Sequence, residues 1–343
     1  MTNIKLNRRR CLVATSSLLA AIIGTSGSAI GEGLAAPLSR AVEPLGEGYL
    51  SPVITAMALD PRGLLLAVAG DDYSIRLLDT KDLTEKERLI GHRDLVRTLA
   101  FRADGRLLAS AGNDGRLTLW DRTSQWSIAR QINDLPTIFD IRFSPDGNQL
   151  AAVGFDTQLM LFDNGDRPSL HCDCSDLRAV SYNSTGDRLA VVGRSGKLHL
   201  FDPRSGQEIG EFAIHASRVR DIVFLPGTNW SATVGEDGTA TIFDLGNYQI
   251  KKQIDFLPCK LFTVAAIDKT TIAVAGSDNR IRIVNATTGE VTRNIDIHSG
   301  SINSLVYADG VLYSGGFDAQ VFKTIVSDGR DPRLAERDKA TGR

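Results

Sequence analysis

"GNDGRLTLWD", residues 112–121, is the stretch whose reading decides the fold. It opens on a turn, Asn113-Asp114-Gly115, built from residues that accept positive φ at low cost. Leu117 and Leu119 then alternate with polar neighbours, and Trp120-Asp121 closes the run. A single occurrence would be an ordinary hairpin. Recurrence at a fixed spacing would make it one unit of an array, and the array would set the architecture.

The stretch recurs. Aligning the turn residue with the residue seven positions later gives Asp72…Asp79, Asp114…Asp121, Asp156…Asp163, Ser195…Asp202, Asp237…Asp244 and Asp278…Asn285, with a degenerate copy at Asp318. The spacings are 42, 42, 39, 42, 41 and 40 residues. Each unit has the same internal order. In the second, Leu95–Phe101 is an apolar run, Ala103–Arg106 a turn, Leu107–Ala111 a second run, Leu117–Trp120 a third and Ile128–Ile132 a fourth. Four short strands at a period near 41 make one propeller blade. A lone blade cannot bury both faces of its sheet, so the blades must stack radially.

On these residues the chain resembles the WD-repeat β-propeller family, over about residues 38–326. The second unit carries the fullest set: Gly91-His92, Ser110, Asp114 and Trp120-Asp121. The resemblance implies that His92, Ser110, Asp114 and Trp120 form a hydrogen-bonded structural tetrad. His215, Thr233 and Asp237 repeat it with Phe243 in place of Trp, and His298, Ser314 and Asp318 repeat it with Thr324 there. The expected fold is all-β, a seven-bladed β-propeller. Its last unit supplies three strands, and the segment Arg40–Leu45 is expected to add the fourth, which closes the seventh blade and removes a sheet edge.

The termini differ from the repeats. Residues 1–10 hold four basic residues, and the first acid in the chain is Glu32. A diluted apolar run follows, then small residues with a candidate cleavage site at Gly33-Leu34-Ala35-Ala36. This pattern reads as a signal peptide over 1–36. Asn7-Arg8-Arg9-Arg10-Cys11-Leu12 resembles the twin-arginine export motif, with Arg8 and Arg9 as the export signal. A cleaved signal leaves no stable membrane span, and the resemblance implies a periplasmic or otherwise exported bacterial protein. Ordinary secretion and an uncleaved anchor remain alternatives. Residues 37–326 are the propeller, and the charged stretch 327–343 reads as a disordered tail.

Catalytic signatures are absent from the sequence: no GxSxG, HExxH, P-loop or CxxCH occurs. Three of the five His sit at the tetrad position and His199 lies within a third strand, while the turn Asp residues follow the repeat. No cofactor is expected. The one odd cluster is His171-Cys172-Asp173-Cys174. It can be read as two semi-buried thiols, as a disulfide across a strand, or as a metal site of His171, Cys172 and Cys174.

Surface residues remain. The net charge of −2 gives no basis for nucleic acid as a partner. The resemblance implies that the residue opening each blade's first strand, and the residue before the turn Asp, line the top mouth of the channel. Arg97, Phe139, Phe155, Arg178, Arg194, Arg218, Arg220, Lys260 and Phe262 fall at or beside these positions. Arg and aromatic residues are enriched at binding hot spots, and the local basic excess favours acidic partners. The sequence therefore reads as an exported, monomeric, non-catalytic scaffold that binds another protein or peptide through the top face. A periplasmic enzyme or redox subunit, with a metal or cofactor in the channel, is the alternative.

Overall fold

The computed structural model describes residues 37–42, 51–155, 158–163, 169–171, 174 and 176–326. Arg8 and Arg9, the signal segment, Cys172 and the charged tail lie outside these residues. So does the side chain of His171. The described chain forms seven antiparallel sheets of four strands each, and no α-helix occurs among these residues. Strands are called a to d from the innermost outward. In blade 2 they are Val96–Phe101, Leu107–Gly112, Leu117–Asp121 and Ser127–Ile132.

The burial pattern explains why the blades stack. Strands b and c are apolar on both faces, as in Leu107–Gly112, because each face meets a neighbouring sheet. Seven apolar clusters result, each joining two adjacent blades. One holds Ala67, Ile75 and Leu77 of blade 1 with Val96, Leu108 and Trp120 of blade 2. Another holds Leu66 and Val68 of blade 1 with Tyr313 and Val321 of blade 7.

Closure is as expected, with a shifted boundary. Strands a to c of blade 7 are Ile302–Ala308, Val311–Gly316 and Gln320–Ile325, and Leu38–Ala41 adds strand d beside Gln320–Ile325. This strand starts two residues before the expected segment. It stops there because Val42 turns inward, buried in the cluster between blades 7 and 1, with its N–H donating to Ala319 O at 2.9 Å.

In every blade a β-bulge interrupts the pairing of strand a with strand b. The register shifts between Ile54 and Ala56, Val96 and Thr98, Ile138 and Asp140, Leu177 and Ala179, Val219 and Asp221, Leu261 and Thr263, and Ile302 and Ser304. A bulge leaves one residue unpaired and re-aims its side chain. The residue after it reaches the next blade. Thr98 Oγ1 accepts from Ile141 N–H at 3.1 Å, Asp140 from Val180 N–H at 3.0 Å and Asp221 from Val264 N–H at 2.9 Å. Thr263 accepts from Leu305 N–H at 3.1 Å and Ser304 from Met57 N–H at 3.1 Å. At the two remaining interfaces this residue is alanine, Ala56 or Ala179. There Thr55 substitutes at one, donating to Val96 O at 2.6 Å.

The tetrad of blade 2 is assembled and mostly buried. His92 Nδ1 lies 2.9 Å from Asp114, His92 Nε2 lies 2.7 Å from Ser110 Oγ, and Trp120 Nε1–H donates to Ser110 Oγ at 2.9 Å. Burial holds the His92 imidazole below its ordinary pKa, against the opposing pull of Asp114. Blades 5 and 7 form the shorter version through His215 and His298. Blades 1 and 6 have no such histidine and hold the turn Asp differently. Arg76, from strand c, pairs with Asp72 at 2.5 Å, and Arg282 pairs with Asp278 in the same way. Both arginines stand four residues after the turn Asp, as does His199 after Ser195 in blade 4.

Deleting residues 37–42 should lower stability by about 2–5 kcal/mol, since a buried valine and a ladder are lost together. Urea denaturation checks this, and an unchanged midpoint would show that the strand closes nothing. The hydrogen bonds between blades make a second prediction. Burial pushes the Asp221 carboxyl up to about 6, above the ordinary value of about 3.9 in an unfolded chain. The folded state then holds the proton more tightly. The contribution is fully present below about pH 4 and is lost as pH rises through 6. Relative to Asp221→Asn, the wild type should lose on the order of 2 kcal/mol between pH 4 and 7. A difference between the two proteins that does not change with pH would refute the assignment.

Candidate functional site

The seven bulged residues are Thr55, Arg97, Phe139, Arg178, Arg220, Phe262 and Asn303. All seven belong to the innermost strands or their first turns. Six of the expected site residues, Arg97, Phe139, Arg178, Arg220, Lys260 and Phe262, line one open cavity of about 920 Å³. Strand a of every blade contributes to its wall, so this cavity is the central channel of the ring.

Arginines and aromatic rings pair at its mouth. The Arg97 and Arg178 guanidinium carbons lie 4.9 and 3.7 Å from the centroid of the same ring, Phe139. Arg220 lies 5.2 Å from the Phe262 centroid. Stacking of this kind fixes a flexible cation in place and leaves the edge of its guanidinium plane available.

Two carboxylates partly neutralise the mouth. Asp176 pairs with Arg178 at 2.7 Å and with Arg218 at 2.9 Å. Glu236 is spread over Arg218, Arg220 and Lys260 at 3.3, 3.4 and 3.8 Å. Arg97 has no carboxylate within ion-pair distance among the described residues. Its Nε–H donates to Asn113 Oδ1 at 2.5 Å. Burial, then the charge of Arg220, holds Arg97 below the usual arginine pKa. Burial lowers Arg178 too, with Arg218, Arg220 and Arg97 adding to it against Asp176.

Arg194 and Phe155 are exposed and stand on the rim without lining the channel. Phe317 of blade 7 lines the channel and is 55% exposed, against 67% for Phe155. Deeper in the channel Arg142 pairs with Asp140 at 2.7 Å. Asp140 also accepts from Thr98 Oγ1–H and two backbone N–H groups, so its oxygens are already occupied. Burial raises its pKa, while Arg142 opposes.

Cys174 is buried and disulfide-bonded. Its sulfur is therefore not the free thiolate that a metal site with His171 and Cys172 would require. Among the described residues the one cluster of metal-ligand type is His199 with Glu208 and Glu211, at 3.0 and 3.6 Å from Nδ1. It sits on the outer strands of blade 4, and Lys197 already pairs with Glu211.

Sequence reasoning placed the mouth cations but missed Asp176 as their counter-charge. The signal was available, because Asp176, Arg218 and Lys260 each stand two residues before a bulged residue. Equivalent positions in successive blades are neighbours across the mouth, so Asp176 meets Arg218. The Arg76 and Arg282 pairs were legible too, as Asp-x-x-x-Arg in blades 1 and 6.

Comparison with known proteins agrees with this architecture. The WD domain, G-beta repeat family model matches residues 84–121, 132–163 and 206–244. The chain is 27% identical over 165 residues to WD repeat-containing protein 90 of Xenopus tropicalis, which covers 45% of this chain and 9% of that protein. It is 24% and 21% identical over 185 residues to eukaryotic translation initiation factor 3 subunit I of Taeniopygia guttata and of Oryctolagus cuniculus. Those matches cover 46% of this chain and 57% and 56% of the two subunits, so the chain spans less than two thirds of each relative. The crystal structure of the Cps50 (Swd1) β-propeller domain of Myceliophteria thermophila is similar with a TM-score of 0.73. That similarity covers 84% of this chain and 100% of the domain at 17% identity, a likeness of fold alone. Three stretches of the chain thus match WD40 repeats, and its described residues fold as a seven-bladed β-propeller.

Proposed function

We propose that this chain is an exported, monomeric, non-catalytic scaffold that binds another protein or peptide through the channel mouth and its rim. One observation carries the reading. A bulge in every blade turns one side chain into the mouth, and in five of seven blades that side chain is Arg or Phe. These are anchor residues of protein interfaces. The exposed rings of Phe155 and Phe317 extend the apolar contact onto the rim. The Asp140 and Asp221 carboxylates, which could otherwise serve as acids or bases, already bridge blades. One relative is by its name a subunit of a larger factor. Export rests on the basic, acid-free start of the sequence and its resemblance to a twin-arginine signal.

A photo-crosslinking residue placed at Phe155 or Phe317 should give polypeptide adducts in cells. The same residue at Ile250, on the outermost strand of blade 5, should not. Adducts at none of the rim positions would overturn the scaffold reading. Replacing Arg8 and Arg9 together by Lys should leave full-length precursor in the cytoplasm, read by fractionation. Unchanged export of that variant would refute the twin-arginine assignment.

A further inference from the structure

The mouth has an unbalanced charge and an unoccupied donor set. Arg178, Arg218, Arg220 and Lys260 pair with two carboxylates, Asp176 and Glu236, while Arg97 pairs with none among the described residues. Two other acids, Asp71 and Asp94, keep their charge nearby without pairing with a cation, so five cations stand against four acids. Asp71, on blade 1, accepts from Val53 N–H at 2.9 Å, and Asp94 accepts from Leu95 N–H at 2.6 Å. Like charges are thus held together by the fold. Arg97 and Arg178 share one phenyl ring, and burial, then the charge of Arg220, disfavours the charged form of Arg97. Such an arrangement is relieved by an anion.

The free donors indicate which kind of anion. Arg97 spends its Nε–H on Asn113, and its two terminal nitrogens have no protein partner among the described residues. They form the planar fork that accepts a carboxylate in two parallel hydrogen bonds. Arg220 reaches Glu236 only at 3.4 Å, through one nitrogen. Apolar surface surrounds these donors: Phe139 and Phe262 in the channel, Phe317 at its edge and Phe155 on the rim. A free inorganic anion would leave those rings uncovered. An acidic residue within a chain that also carries apolar side chains would cover them.

We propose that the channel mouth is a carboxylate clamp. In it Arg97 and Arg220, held in place by Phe139, Arg178 and Phe262, take a glutamate or aspartate side chain of an extended partner segment. The clamp rests on the scaffold reading and specifies its ligand.

Fluorescence anisotropy tests this with a labelled peptide, Gly-Ser-Phe-Glu-Glu-Phe-Ser-Gly, and its Gln-Gln counterpart. The glutamate peptide should bind at least about tenfold tighter than the glutamine peptide at low salt, and the gap should shrink as salt rises. Arg97→Gln should remove most of that gap with an unchanged melting temperature. Arg130→Gln, on the outermost strand of blade 2, should leave it intact. If Arg97→Gln proves unstable, the comparison of the two peptides on the wild-type protein still decides. Equal binding of the two peptides, or an Arg97→Gln protein that binds like wild type, overturns the clamp. Saturation by inorganic phosphate or citrate with no binding of the glutamate peptide overturns the polypeptide as its source. Rim crosslinks to a polypeptide together with equal binding of the two peptides would remove the clamp and leave the scaffold standing.

Discussion

The structure depends on a constraint that no single blade can meet: each sheet is apolar on both faces, and only its neighbours can cover it. Seven clusters therefore lie between blades and none lies within one. The consequence is a ring whose parts have no independent stability. This makes the last interface as important as any other, and it explains the use of a strand from the beginning of the chain to complete the final blade. The ladder from Leu38 to Ala41 contributes hydrogen bonds, while Val42 places an apolar side chain in the cluster that joins the first blade to the last.

Packing sets the ring, and the bulge links packing to function. Each bulge leaves one residue of the innermost strand unpaired and aims it at the channel. The next residue is aimed across the interface, where Thr, Ser or Asp accepts a backbone N–H of the neighbouring blade. A slip of register by one residue would exchange these roles and bury the mouth residues. The charge cost is visible at Asp221, whose burial favours the protonated form. A carboxylate there weakens the fold at neutral pH relative to a neutral acceptor, yet one of its oxygens ties blade 5 to blade 6 while the other accepts from Ile222 N–H in its own strand. Thr263 and Ser304 make the same tie without the charge.

The repeat made most of the fold legible. Turn residues with positive φ, alternating apolar runs and a period near 41 locate every blade, and the tetrad of His92, Ser110, Asp114 and Trp120 followed from the family resemblance, with the spacing in support. What stayed hidden were contacts between residues distant in sequence but equivalent in the repeat. Asp176 and Arg218 are 42 residues apart and belong to different blades. Nothing local in either segment shows the pair, but it emerges once the same position is read around the ring instead of along the chain. The substitution of Arg76 and Arg282 for the missing histidines was hidden for another reason. The family resemblance directs attention to the histidine position, whereas the turn Asp needs only some cationic or donor group nearby.

The charge pattern of the mouth then has a physical order. Cations at Arg178 and Arg218 are held by Asp176, which also fixes blade 4 to blade 5. Glu236 is divided among three cations at distances too long for a strong pair with any one. Arg97, across the ring on blade 2, has none. Direct ion pairing thus falls from blade 4 towards Arg97, near which Asp94 acts through its charge without forming a pair. Stacking on Phe139 makes this stable, because the ring face attracts a guanidinium without cancelling its charge. An aspartate in place of Phe139 would hold the same arginines more tightly and leave less charge for a ligand to neutralise.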